Sequence, residues 1–263
     1  MPPKENLNRP QYLTDHLTDL RKALVHSLIA VVLGLCAAFL ESEFLFGALL
    51  RPFKSVLEKF PAIGSQVHSL QTLTPAEAFM VNMKLAAIAG ILLASPIILR
   101  ELWFFVSPAL KPNEKNAVLM VFSLGLFFFL GGIAFGYFFI VPISLEFLMR
   151  YNLYFNFVPQ WTLQGYYGFV VNFLLIFGCV FELPLVLAAL VSVGVATPAF
   201  LAQKRKHAIL GIFILAALIS PSADPISQTI VAVPLIILYE IGIWLSYLTV
   251  LRKKNQETTT KHP

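Results

Sequence analysis

The sequence predicts an all-α, polytopic membrane protein with six transmembrane helices and both termini in the cytoplasm. Three observations carry that expectation. The 263 residues are 58% hydrophobic and only 13% charged, with a mean hydropathy of +0.78, well above that of a water-soluble domain. Apolar stretches of about 20 residues, the length that crosses a bilayer core, recur along the chain. Lysine and arginine are segregated between alternate connections, as the positive-inside rule requires.

A single six-span domain is expected over residues 1–252, beginning with a cytoplasmic segment at 1–23. Four spans are clear, near 24–46, 78–99, 118–139 and 166–193. The fifth, near 207–220, is short, and local bilayer thinning or shielding by neighbours lets it cross. The sixth, near 226–251, is interrupted by Pro234 and Glu240. Residues 253–263 read as a disordered cytoplasmic tail.

With six spans, fourteen lysines and arginines fall on the cytoplasmic side, among them Arg100, Lys111 and the run Lys204-Arg205-Lys206. Only Arg51, Lys54, Lys59 and Arg150 fall outside, and Lys84 lies within the second span. The basic pI near 9.2 is this topology signal and calls for no nucleic acid. The polar leader runs some 25 residues before the first apolar stretch, so that stretch reads as a retained anchor.

Between the spans, Thr74-Pro75-Ala76-Glu77 matches a capping box that starts span two, and Thr197-Pro198 starts a short cytoplasmic helix. Phe53, Val56, Leu57 and Phe60 give the longest outer loop one apolar helical face, suited to a cap on the membrane surface. Aromatics crowd the loop after Arg150, as in an interfacial belt. Gly132 and Gly136 form a GxxxG pair for close helix packing. Glu146 and Arg150 are spaced for an ion pair. Cys36 and Cys179 sit in apolar spans as packing residues without disulfide or metal spacing.

The chemistry of an enzyme is missing. There is no HExxH, no GxSxG and no glycine-rich phosphate loop, and none of the five histidines has a ligand-spaced partner. The expectation is a non-enzyme without cofactor or metal. The acids within spans are more telling. Glu182 stands in FGCVFELPLVL, where a charge costs roughly 2.5 to 3.5 kcal/mol to insert, so it needs a proton, a partner or a function. Pro184 removes a backbone donor beside it and predicts a bend.

Five stretches in order carry a resemblance to a known family. They are HLTDLRKAL (16–24), LWFFVSPALKPNEK (102–115), FGCVFELP (177–184), SPSADPISQ (220–228) and PLIILYE (234–240). Together they closely resemble the TatC family, the multispanning receptor subunit of the twin-arginine protein translocase, from about His16 to Arg252. The resemblance implies a component of the bacterial inner membrane that binds Arg-Arg signal peptides of folded proteins on the cytoplasmic side. It also implies single-span TatA- and TatB-like partners, homo-oligomerisation within the complex, and export driven by the proton gradient.

On that resemblance the signal-peptide residues are Asp19, Leu20, Arg21, Phe105, Pro108, Leu110 and Glu114. Asp19 and Glu114 are suited to a guanidinium pair, because charge-assisted bidentate bonds discriminate Arg from Lys. Phe105, Pro108 and Leu110 are suited to the apolar part of the peptide. Glu182 becomes an intramembrane polar site on a concave face. Ser220, Asp224 and Gln228 either border the docking groove for partner subunits or cap a tight reversal. The sequence departs from the family pattern at Asp19, where the family has Glu, and in SPSADP, one residue longer than the family's TPPD. From a different class, a proton- or ion-coupled secondary transporter would use Glu182, Glu240 and Lys84 as a relay.

Overall fold

The computed structural model describes the backbone of residues 13–61, 69–107, 112–219 and 225–259, and their side chains except at 13–17, 106, 112–118, 120, 121 and 251–259. In chain order the helices are α1 (Leu13–Leu40), α2 (Ser42–Glu58), α3 (Glu77–Val106) and α4 (Pro112–Phe135), which passes through a π-helical turn (Gly136–Ile140) into α5 (Val141–Tyr154). Then follow α6 (Leu163–Phe181), α7 (Leu183–Ser192), α8 (Pro198–Gln203), α9 (Arg205–Ile219) and α10 (Pro225–Thr259). Among the described residues the β content is one isolated bridge, Gln71 with Thr162.

Among the described residues, five stretches are long and apolar enough to cross a membrane: Thr18–Leu40, Glu77–Phe105, Phe122–Tyr154, Leu163–Ser192 and Pro225–Val250. They make the chain a polytopic helical membrane protein. At 15 residues, α9 is about 22 Å long against a hydrocarbon core of about 30 Å, which is why it falls outside this set. The first span ends earlier than the sequence suggests. A turn at Glu41 stops α1, and residues 42–46 open α2 instead, with Glu43 in its first turn where the helix dipole favours an acid. At the other end α10 continues to Thr259, past the start of the expected tail; Leu251–Thr259 contains no glycine or proline to stop it.

The helices group into two compact units, Met1–Glu43 with Asn82–Phe122, and Phe44–Val81 with Ser123–Pro263. In the first, α1 and α3 run antiparallel, since Gly34 meets Gly90 while His26 meets Glu101. A Cβ on Gly34 would lie 2.5 Å from the Gly90 carbonyl oxygen, so this crossing is backbone against backbone. Leu24, Leu28, Val32, Leu33 and Leu40 of α1 face outward, as on a helix that is apolar all round and bathed in lipid. Cys36, expected as a packing residue, is also exposed, as is Cys179 in the second unit.

In the second unit α4 packs on α6 through the GxxxG pair. A Cβ on Gly132 would lie 2.4 Å from the Phe177 carbonyl oxygen, and one on Gly136 would be 3.3 Å from the Phe177 Cβ. The apolar face of α2 is not spread on the membrane surface. Phe53 and Val56 are buried, and the Phe53 ring lies 5.4 Å from both Trp161 and Tyr166. Three tyrosine hydroxyls donate to α2 carbonyls around Pro52: Tyr137 to Ala48 at 2.6 Å, Tyr166 to Leu49 at 2.7 Å and Tyr167 to Phe46 at 2.9 Å.

The start of α3 is tied down by Glu77, which is buried. Its carboxylate accepts from the backbone N–H groups of Leu73 (2.6 Å) and Thr74 (3.4 Å), the returning half of the predicted capping box. Its other oxygen accepts from the Gln164 N–H at 2.8 Å, so the same acid also satisfies the first turn of α6. At Thr197 the expected cap is present as well, the hydroxyl accepting from the Phe200 N–H at 3.2 Å to open α8.

Candidate functional site

The first candidate region is the end of the α1/α3 pair beyond the contact of His26 with Glu101. His26 Nδ1 lies 3.4 Å from Glu101 Oε2, a contact the sequence reading missed because 75 residues separate the two. Asp19 lies seven residues before His26, two turns away on the same face of α1, and Phe105 lies one turn beyond Glu101 on α3. Antiparallel packing therefore carries Asp19 and Phe105 toward the same end of the pair. Asp19 and Phe105 are half-buried, while Leu20 and Arg21 are exposed. Glu114 belongs to the first turn of α4, and its side chain lies outside the described residues. Pro108 and Leu110 lie outside them altogether.

The second region is the break between α6 and α7. Pro184 has no N–H for the Val180 carbonyl, and the helix answers by sharing the Glu182 N–H between the Cys179 and Val180 carbonyls. Glu182 closes α6 and opens α7 with φ −72° and ψ −18°, so the predicted bend is an interruption of one residue. Its half-buried carboxyl turns toward α4. There Gly125 leaves room for it, since a Cβ would stand 3.4 Å from Oε2 and 3.7 Å from Oε1. Among the described residues Glu182 makes no salt bridge.

Glu240 has a different environment from the one a proton relay requires. Its carboxylate accepts from Arg205 Nε at 2.7 Å and Nη2 at 2.9 Å, a fork-to-fork pair joining α10 to the start of α9. Hydrogen bonding to Glu240, then its charge, pushes the Arg205 guanidinium still further above its ordinary range. Beside it the Tyr239 hydroxyl donates to the Leu201 carbonyl at 2.9 Å. Lys84 is exposed, without an ion pair among the described residues. Glu240 therefore anchors the start of α9, and the relay with Glu182 and Lys84 loses a member.

At the third region, Gln228 is half-buried and donates through Nε2 to the Phe213 carbonyl at 2.6 Å, fastening α10 to α9. That bond favours a structural role for Gln228. Ser220 and Asp224 lie outside the described residues.

These features define a polytopic helical membrane protein with one acid held at a helix break inside a span. The family profile described as Sec-independent protein translocase protein (TatC) matches residues 15–234. The TatC protein of Carboxydothermus hydrogenoformans is 38% identical over 239 residues, covering 91% of this chain and 94% of its own. That of Aquifex aeolicus is 35% identical over 243 residues, covering 92% and 97%. A crystal structure of the twin-arginine translocase receptor TatC superposes with a TM-score of 0.71 at 34% identity, over 89% of this chain and 99% of that one. The chain belongs to the TatC family.

Proposed function

We propose that this chain is the signal-receptor core of a twin-arginine translocase in a bacterial inner membrane, without enzymatic activity of its own. It crosses six times with both termini cytoplasmic, α9 being the short fifth crossing. It captures Arg-Arg signal peptides of folded proteins at Asp19 and Glu114, with Leu20, Arg21, Phe105, Pro108 and Leu110 around them. The apolar part of the signal then passes along the face that holds Glu182, and TatA- and TatB-like single-span subunits assemble at the turn carrying Ser220, Asp224 and Gln228.

The observation that best supports this reading is the antiparallel α1/α3 pair, whose common end collects Asp19 and Phe105 directly before the segment leading to Glu114. A guanidinium pair gains roughly 1.5 to 3 kcal/mol from each charge-assisted bond, enough to separate Arg from Lys when the geometry is bidentate. The test is a photo-crosslinking residue placed at Leu20 or Phe105 and exposed to an Arg-Arg signal peptide. Adducts at both positions that disappear with a Lys-Lys peptide support the assignment. Adducts that are insensitive to the change, or absent, refute it.

A further inference from the structure

On the far half of the second unit, an open cavity of about 610 Å³ lies between the α4–α5 segment and α10. One wall is Phe135, Phe139 and Ile143, the other Ile226, Ile230 and Val233, with Pro225 and Pro234 at its two ends. Both walls belong to stretches that qualify as membrane spans. Among the described lining residues the one side-chain hydroxyl, on Thr229, is already spent on the Pro225 carbonyl at 2.6 Å. The described lining therefore offers a hydrocarbon chain a continuous apolar contact.

Its dimensions point to one kind of occupant. From Pro225 to Pro234 the helix rises about 14 Å, close to the roughly 15 Å depth of one bilayer leaflet. The aromatic wall also continues outward. Phe135 and Phe139 stack at 5.3 Å, Phe147 and Tyr151 lie 6.2 Å apart, and Tyr151 and Phe155 lie 5.1 Å apart, one turn after another.

Charge completes the pattern. Arg150 stands seven residues beyond Ile143 on the same face of α5, about 10 Å further along the helix. Arg150 Nη2 and Lys59 Nζ both reach Glu146, each at 2.8 Å, which leaves this three-residue cluster one positive charge in excess. An apolar slot of one-leaflet depth beneath a net cationic, partly exposed cluster matches a phospholipid, with its chain below and its phosphate above.

We infer that this cavity is a binding site for one acyl chain of a phospholipid, whose phosphate is held by the Arg150–Lys59 cluster. Naming the outer leaflet rests on the topology proposed above; the slot and its cationic mouth do not.

The experiment is native mass spectrometry of the delipidated, detergent-purified chain titrated with palmitoyl-oleoyl phosphatidylglycerol or the matching phosphatidylcholine. Wild type should retain one phospholipid. Ile230→Trp, which fills the slot, should bind about tenfold or more weakly. Ile143→Trp fills it from the opposite wall and covers the case in which the first variant melts early. Leu218→Trp, on an outward face of α9, should bind as wild type. Arg150→Gln should weaken both lipids, since each carries the phosphate that the cluster holds. Full retention in both filled variants, or no retained lipid in wild type, overturns the site. Wild-type binding of both lipids by Arg150→Gln overturns the headgroup assignment. Loss of a second protein copy from filled variants, with lipid unchanged, also overturns the site by making it a protein contact. A reversed topology would leave lipid binding intact and show separately, as labelling of position 150 from the cytoplasmic side.

Discussion

The hydroxyl of Tyr137 donates to the carbonyl of Ala48 at 2.6 Å, and Ala48 is the residue whose helical donor Pro52 lacks. A proline inside α2 frees that acceptor, and a tyrosine from the π-helical turn supplies the missing hydrogen. The proline and the tyrosine are thus two halves of one device that fastens α2 to the rest of its unit.

Tyr137→Phe should therefore lower stability by about 0.5 to 1.5 kcal/mol, the net worth of a hydrogen bond to a half-buried acceptor. In a Pro52→Ala background, where the helix can donate for itself, the same change should cost less. Thermal or denaturant unfolding of the two single variants and the double variant measures the coupling. Equal cost in both backgrounds would mean that the two residues are independent.

The crossing of α1 and α3 makes a sharper steric prediction. Gly34→Ala brings a Cβ to 2.5 Å from the Gly90 carbonyl oxygen, and backbone on both sides leaves nothing to yield cheaply. The expected loss is about 1 to 3 kcal/mol, with weaker signal-peptide binding as the common end opens. Gly47→Ala in α2 is the control, having nothing within 4 Å of its Cβ. It should be neutral or gain up to about 1 kcal/mol from better helix propensity. Melting temperatures of the two variants decide the matter.

How much of this was legible beforehand follows from the range of each interaction. The helix break at Glu182, the Thr197 cap, the Glu77 capping box and the close packing at Gly132 are local or depend on one residue type, and each was visible in the sequence. The Tyr137–Ala48 bond, the His26–Glu101 contact and the second bond of Glu77 to Gln164 join residues 75 to 89 positions apart, and no periodicity encodes them. The partner of Glu240 was hidden for the same reason, because Arg205 is 35 residues away and reads only as part of a basic run. Phe53 and Val56 looked surface-bound because an amphipathic face has the same pattern whether lipid or protein covers it.

The Arg205–Glu240 pair separates a receptor from a proton-coupled transporter. Glu240→Gln should leave proton flux through reconstituted vesicles at the level of protein-free vesicles, as in wild type, and should shift the melting temperature only slightly, since both side chains are partly exposed. Arg205→Lys should cause a comparable small shift by losing the fork. Flux above the empty-vesicle level that vanishes in Glu240→Gln would favour the transporter.

The most direct test of the receptor role is equilibrium binding of an Arg-Arg signal peptide to the purified chain, beside a Lys-Lys peptide and the Glu114→Gln and Asp19→Asn variants. Loss of one charge-assisted bond predicts about 10- to 100-fold weaker binding for the Lys-Lys peptide and for each variant. Equal affinity in all four measurements, or no binding of the Arg-Arg peptide to wild type, would contradict the assignment of Asp19 and Glu114 as the acids that read the signal.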